Sequence, residues 1–212
     1  MQSIFSFDID YNRIARYISE HDIKLVIFDF NGLLDDYYTQ KLEHLRRILG
    51  PGNEHYIPEL LLGIERAYMM DRSATLEQSV EAFFRANEIT MNADVQQQLK
   101  EPFQSSRLTD GARNFLDALD VPFVIYTAMT KEGAQQALGS AKYELFTRDA
   151  YQEDKPSIAN LKVIVTRHGV QPSEVCVVGD GLIDDLMPAS LMGMHTILVS
   201  PFAMILANSS VS

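Results

Sequence analysis

The stretch Lys24-Leu25-Val26-Ile27-Phe28-Asp29-Phe30-Asn31-Gly32-Leu33-Leu34 decides the fold. Its unbroken run of Leu, Val, Ile and Phe is the pattern of a strand covered on both faces, as a parallel sheet requires, and lacks the alternation of a half-exposed strand. The run stops at an aspartate, and a glycine turn follows. Phe123-Val124-Ile125-Tyr126-Thr127 and Val175-Cys176-Val177-Val178-Gly179-Asp180 repeat the plan, each closing on a polar residue before a turn or a helix start. Thr196-Ile197-Leu198-Val199-Ser200 supplies a fourth strand.

Helical periods separate these runs, over residues 112–119, 131–138, 158–168 and 185–192. Strands alternating with helices predict an α/β fold, a right-handed, doubly wound parallel sheet. Such sheets bind ligands beyond the carboxyl ends of their strands. Asp29, Thr127 and Asp180 are therefore expected to converge on one edge.

From about residue 36 to residue 106 the alternation gives way to helical pattern alone, with Leu42, Leu45, Ile48 and Leu49 on one face. Further helices are expected over 58–70, 74–86 and 93–100, separated by Gly50-Pro51-Gly52 and two polar stretches. The expected organisation is a core of residues 1–35 and 107–212 with an inserted α-helical cap domain of residues 36–106. Before the first strand, Ile14 to Ile18 reads as an amphipathic helix packed on the core.

Composition excludes several functions. With 46% hydrophobic and 22% charged residues the chain is neither disordered nor membrane-like. A formal charge of -11 opposes binding to nucleic acid or an anionic bilayer, which rely on clustered Lys and Arg. The apolar tract from Thr196 to Ala207 is interrupted by Pro201 and falls short of the ~20 residues a spanning helix needs. Met1 to Asp10 carries acids where a signal peptide has a basic start, so a cytoplasmic protein is expected. The single cysteine, Cys176, lies in an apolar run and reads as a buried, inert thiol; the scattered histidines have no zinc-ligand spacing.

Val26 to Leu34 resembles the nucleophile motif of the haloacid dehalogenase superfamily, and the later elements follow in that family's order over roughly residues 23 to 200. The resemblance implies that Asp29 attacks phosphorus to form an aspartyl-phosphate, with Mg2+ holding the phosphoryl group. It implies that the Thr127 hydroxyl and the Ala128 backbone N–H bind phosphate oxygens, and that the Lys155 ammonium pairs with nucleophile and phosphoryl group. In Gly179-Asp180-Gly181-Leu182-Ile183-Asp184-Asp185 it makes Asp180 a magnesium ligand. Both spacings occur in the family, so Asp184 and Asp185 stay open as the second acid; Pro188-Ala189 and Gly193-Met194 favour Asp185 and leave Asp184 as a helix cap. Asp29, the Asn31 backbone carbonyl, Asp180 and Asp185 make up the expected metal site. Asp8-Ile9-Asp10 mimics the nucleophile loop but lacks the glycine turn. The implied cap closes over small phosphorylated metabolites, with hinges near Asp35-Asp36 and Ser106-Leu108, and Arg46, Arg47, Arg66 and Arg72 are available for anionic groups.

Asn31 departs from the phosphatase pattern, in which an aspartate at this position protonates the leaving alkoxide and later activates water. A carboxamide has no titratable proton at physiological pH. Proton transfer is worth roughly 10²–10⁴-fold, so alcohol leaving groups should suffer most. The sequence thus supports a Mg2+-dependent hydrolase or phosphotransferase acting on a small phosphorylated molecule. The alternative is a catalytically weak or inactive binding or regulatory protein of the same fold. Substrate and oligomeric state are not legible.

Overall fold

The computed structural model describes residues 9–71, 73–99 and 107–199. In chain order the main elements are α1 (Tyr11–Glu20), β1 (Leu25–Phe28), α2 (Tyr37–Leu49), α3 (Ile57–Met70), α4 (Leu76–Ala86), α5 (Ala93–Leu99), α6 (Asp110–Asp117), β2 (Phe123–Thr127), α7 (Lys131–Leu138), β3 (Leu145–Thr147), α8 (Ile158–His168), β4 (Val175–Gly179), α9 (Met187–Leu191) and β5 (His195–Leu198). They fall into two compact units, residues 38–71 with 73–99, and residues 9–37 with 107–199.

The second unit contains a parallel sheet in the order β3-β2-β1-β4-β5. The apolar runs divide between its faces because successive side chains on a strand point opposite ways. Val26, Phe28, Ile125, Cys176 and Val178 pack with Ile14 and Ile18 of α1, Ala112 and Leu116 of α6, and Leu138 of α7. Leu25, Ile27, Val124, Tyr126, Val175 and Val177 pack with Leu161, Ile164 and Val165 of α8 and Ala189 of α9. Helices thus cover both faces of a doubly wound α/β sheet. The chain leaves β1 for β2 and β3 on one side and returns to β4 on the other, putting the topological switch point between β1 and β4.

β3 was not expected. Leu145-Phe146-Thr147 is too short for its periodicity to show, yet it pairs in register with β2 through Tyr126↔Phe146 and Thr127↔Thr147. The helix expected over 112–119 starts earlier, because the Thr109 hydroxyl caps it by accepting from the Ala112 N–H at 3.1 Å. The period expected over 185–192 is split into a wider π-type turn, Leu182–Leu186, and the short α9. Asp10 is the N-cap of α1, accepting from the Arg13 N–H at 3.0 Å, so its carboxylate has a structural task; Asp8 lies outside the described residues.

The helical unit buries Leu42, Leu45, Ile48 and Leu49 on one face of α2. α4 begins at Leu76, later than the pattern suggested, because Thr75 and Gln78 form a reciprocal capping box. Lys41, buried in α2, is paired with Glu65 of α3 at 3.0 Å. Where the chain leaves the sheet unit and comes back, Asp35 and Leu108 form an antiparallel bridge and the Arg107 N–H donates to Asp36 at 3.3 Å. Arg72, Lys100, Ser106 and Ser200, all named in sequence expectations, lie outside the described residues. No helix of the described residues is long and apolar enough to cross a membrane.

Candidate active site

The ladder carries Asp29 to the sheet edge: its N–H donates to Val178 O at 2.9 Å, one residue past β1. Asp180 follows β4 directly, and the π-type turn brings Asp185 back beneath it. Each of Asp29, Asp180 and Asp185 offers a carboxylate oxygen, and these atoms all lie within 4.8 Å of one another. Lys155, from the loop before α8, donates to Asp29 Oδ1 at 2.6 Å, to Asp185 Oδ1 at 2.8 Å and to Tyr126 O at 2.9 Å. Its ammonium also sits 4.2 Å from the centre of the Tyr126 ring.

Asp185 is buried and accepts from the Gly181 N–H at 3.1 Å as well as from Lys155. Asp184 lies inside the turn and is not at a helix N-cap position. The two glycines around Asp180 have a reason the sequence did not disclose. A Cβ on Gly179 would stand 2.7 Å from Asp185 Oδ2, and one on Gly181 would stand 2.8 Å from the same atom. Neither position demands a left-handed backbone; what both demand is room for the Asp185 carboxylate.

Burial pushes the Asp29 carboxyl well above the usual carboxylate range. The Lys155 ammonium opposes that rise, whereas Asp185 and Asp180 add to it. Burial alone would lower the Lys155 pKa, but Asp29 and Asp185 outweigh it and raise the value, so the lysine is held as the ammonium. Two carboxylates, Asp29 and Asp185, thus flank the ammonium, and the third, Asp180, lies beside them. An all-oxygen, carboxylate-rich set of this kind suits a hard divalent cation such as Mg2+.

Thr127 is fully buried at the end of β2, where its hydroxyl oxygen accepts from the Met129 N–H at 3.2 Å, and Ala128 follows it. The pairing Phe28↔Ile125 puts them at the same edge as Asp29. Asn31 donates from its Nδ2 to Asp35 Oδ2 at 2.7 Å. Asp35 is buried and also accepts from the Gly32 N–H at 2.7 Å and the Tyr37 N–H at 3.2 Å. Gly32 has φ +79°, a conformation that favours glycine.

Two contributors escaped the sequence reading. Asp35 ties down the loop that follows Asp29, although its signal was only an acid just before a helix. Tyr126 supports Lys155 with both carbonyl and ring, and nothing in an apolar strand pattern singles out the residue before the threonine. Cys176 is buried, and burial raises its thiol pKa to about 12, consistent with an inert side chain. Arg46, Arg47 and Arg66 belong to the helical unit.

Fold and site together define a doubly wound α/β protein with an acidic centre at the switch point of its sheet. The family model of haloacid dehalogenase-like hydrolases matches residues 23–193, and the chain belongs to that family of enzymes. No curated protein matches it by sequence. Among solved structures it is similar to the HAD-hydrolase YfnB of Bacillus subtilis, determined with magnesium (18% identity, 83% of this chain and 88% of that one, TM-score 0.53). It is also similar to a HAD-superfamily hydrolase of subfamily IA from Geobacter sulfurreducens (18%, 84% and 87%, 0.53). The L-2-haloacid dehalogenase RSc1362 is a third such structure (17%, 83% and 86%, 0.52). At these identities the likeness is one of fold.

Proposed function

We propose that the chain is a Mg2+-dependent hydrolase or phosphotransferase acting on a small phosphorylated compound through an aspartyl-phosphate on Asp29. The observation that carries this reading is the cluster of Asp29, Asp180 and Asp185 at the ends of β1 and β4, with Lys155 paired to Asp29 and Asp185. Asp29, Asp180 and the Asn31 backbone carbonyl would hold Mg2+, with Asp185 beside them. When bound, that ion neutralises phosphoryl charge and so relieves the repulsion between a carboxylate and a phosphate dianion.

An Asp29 carboxylate oxygen bonds to phosphorus as the bond from phosphorus to the leaving oxygen breaks. Thr127 and the Ala128 N–H orient the phosphoryl oxygens, and Lys155 supplies positive charge where it is needed. Water or another acceptor then attacks phosphorus, which frees the Asp29 carboxylate. Asn31 cannot hand a proton to the leaving oxygen. The favoured substrates are accordingly those whose leaving group departs without one, acyl phosphates or aryl esters, or those that pass the phosphoryl group to an acceptor other than water.

A panel of acyl, aryl and alkyl phosphates assayed with Mg2+, beside Asp29→Asn, tests the reading. Turnover or a trapped acyl-phosphate that disappears in the variant supports it. Neither turnover nor trapping in the unmodified protein, even with activated esters, would leave a binding or regulatory module of the same fold.

A further inference from the structure

We propose that Asn160 is a positioning residue for Lys155, fixing the loop that presents the ammonium to Asp29; this rests on the role given to Lys155 above. Asn160 lies in the first turn of α8 and is completely buried. It stands one helical turn before Ile164, in phase with the apolar stripe that faces the sheet, so packing alone calls for a hydrocarbon there.

A carboxamide has one acceptor oxygen and two donor hydrogens, and this one uses them all. Oδ1 accepts from the Gln152 N–H at 2.7 Å, while Nδ2 donates to Glu153 O at 2.7 Å and to the Tyr126 hydroxyl at 3.1 Å. Two of these bonds hold backbone groups of the segment leading to Lys155. The third holds the residue whose carbonyl and ring already support the Lys155 ammonium. The contacts close a ring, from Lys155 to Tyr126, to Asn160, to Gln152 and Glu153, and back along the chain to Lys155. Ser157 reinforces it, its hydroxyl donating to Glu153 Oε1 at 2.9 Å and accepting from the Asn160 N–H at 3.0 Å.

Helix cohesion explains none of the bonds outside α8, whereas holding one loop against one strand explains all of them. The Asp29, Asp180 and Asp185 carboxylates are outside this ring. Loss of Asn160 should therefore disturb the phosphoryl subsite more than the cation subsite, which it reaches only through Lys155.

The test is binding of Mg2+ alone, then of trifluoroberyllate with Mg2+ present, to the full chain, followed by calorimetry and fluorine NMR. Asn160→Ala should weaken trifluoroberyllate binding by about 10-fold or more, because a displacement of about 1 Å at a reacting site is worth up to that order or beyond. Mg2+ affinity should fall less than trifluoroberyllate affinity, since Asn160 touches no carboxylate of the cluster and reaches Asp29 and Asp185 only through Lys155. Ile164→Val loosens the same helix and should alter neither affinity. Trifluoroberyllate bound to Asn160→Ala as tightly as to the unmodified chain overturns the proposal, whatever happens to thermal stability. Should Asn160→Ala fail to fold, Tyr126→Phe decides: it removes only the hydroxyl, weaker trifluoroberyllate binding supports the ring of contacts, and unchanged binding overturns it. Lys155→Ala separates the two levels. Loss of binding there, with none in Asn160→Ala, sinks this inference alone; no loss in Lys155→Ala sinks the role of the lysine as well.

Discussion

The side-chain amide of Asn31 donates to the Asp35 carboxylate across 2.7 Å. Asp35 takes the Gly32 N–H on its other oxygen, also at 2.7 Å, so one buried carboxylate grips two consecutive residues of the loop after Asp29.

That grip sets what Asn31→Asp should do. The change replaces a donor by a second carboxylate facing Asp35, costing the folded state about 1–3 kcal/mol through the lost bond and the new repulsion. The same change restores a titratable group to the loop, so turnover of alkyl phosphates should rise, by up to ~10²-fold. Chemical denaturation and steady-state assays together check the trade. A variant both as stable as the parent and no faster contradicts it.

Asn-Gly pairs deamidate when the glycine nitrogen attacks the asparagine carboxamide, and here both groups are tied to Asp35. Asn31 should therefore persist in the folded protein. Asp35→Ala should convert it to aspartate and isoaspartate several-fold faster, on the order of the acceleration expected when a buried charge-assisted bond is removed. Peptide mass spectrometry over days at mildly alkaline pH gives the two rates, and equal rates would show that Asp35 does not protect the pair.

Gly179→Ala should crowd Asp185, whose Oδ2 would lie 2.7 Å from the new methyl. Overpacking of this kind costs about 1–3 kcal/mol. Because the displaced group is a carboxylate of the acidic cluster, Mg2+ affinity should fall along with stability. Stability lost with Mg2+ affinity intact would mean that Asp185 gives way without consequence for the ion.

The raised Asp29 pKa makes stability depend on pH. A carboxyl whose folded value exceeds its ordinary value of 3.8 binds its proton more tightly in the folded chain. Its stabilising contribution is complete below that ordinary value and is lost as pH rises through the folded one. In Mg2+-free buffer the melting temperature of the parent should fall relative to Asp29→Asn across that window. Saturating Mg2+ should remove the difference in slope, because the ion favours the ionised form. Parallel melting curves for the two proteins without Mg2+ would refute the assignment.

Much of this molecule was written in its apolar runs. Leu25–Phe28, Phe123–Thr127 and Val175–Gly179 are strands covered on both sides, and that continuity is why they and their terminal polar residues could be read directly. The three-residue β3 was beyond reach, because a strand so short has no period to detect and exists only through its pairing with β2. In the site, Asp29, Thr127 and Asp180 were legible as the polar ends of apolar runs, and Lys155 through the family resemblance. Asp35, Tyr126 and Asn160 were not, since their value lies in partners far along the chain or on another element. Asn160 did leave one trace, a polar residue in phase with Ile164 on an otherwise apolar helix face. The helix expected over 185–192 is present as Met187–Leu191, entered through a wider π-type turn that the sequence period did not show and that carries Asp185 to the other two carboxylates.

An ammonium has three hydrogens, and Asp29, Asp185 and the Tyr126 carbonyl accept all three from Lys155. On the proposed reading, a phosphoryl oxygen can recruit this lysine only by exchange, taking a hydrogen from one of its present holders. Asp29 is the holder whose charge falls as it bonds to phosphorus, so its claim weakens as the newcomer's is established. Lys155 would then act as a relay of charge from nucleophile to phosphoryl group, timed by the reaction itself.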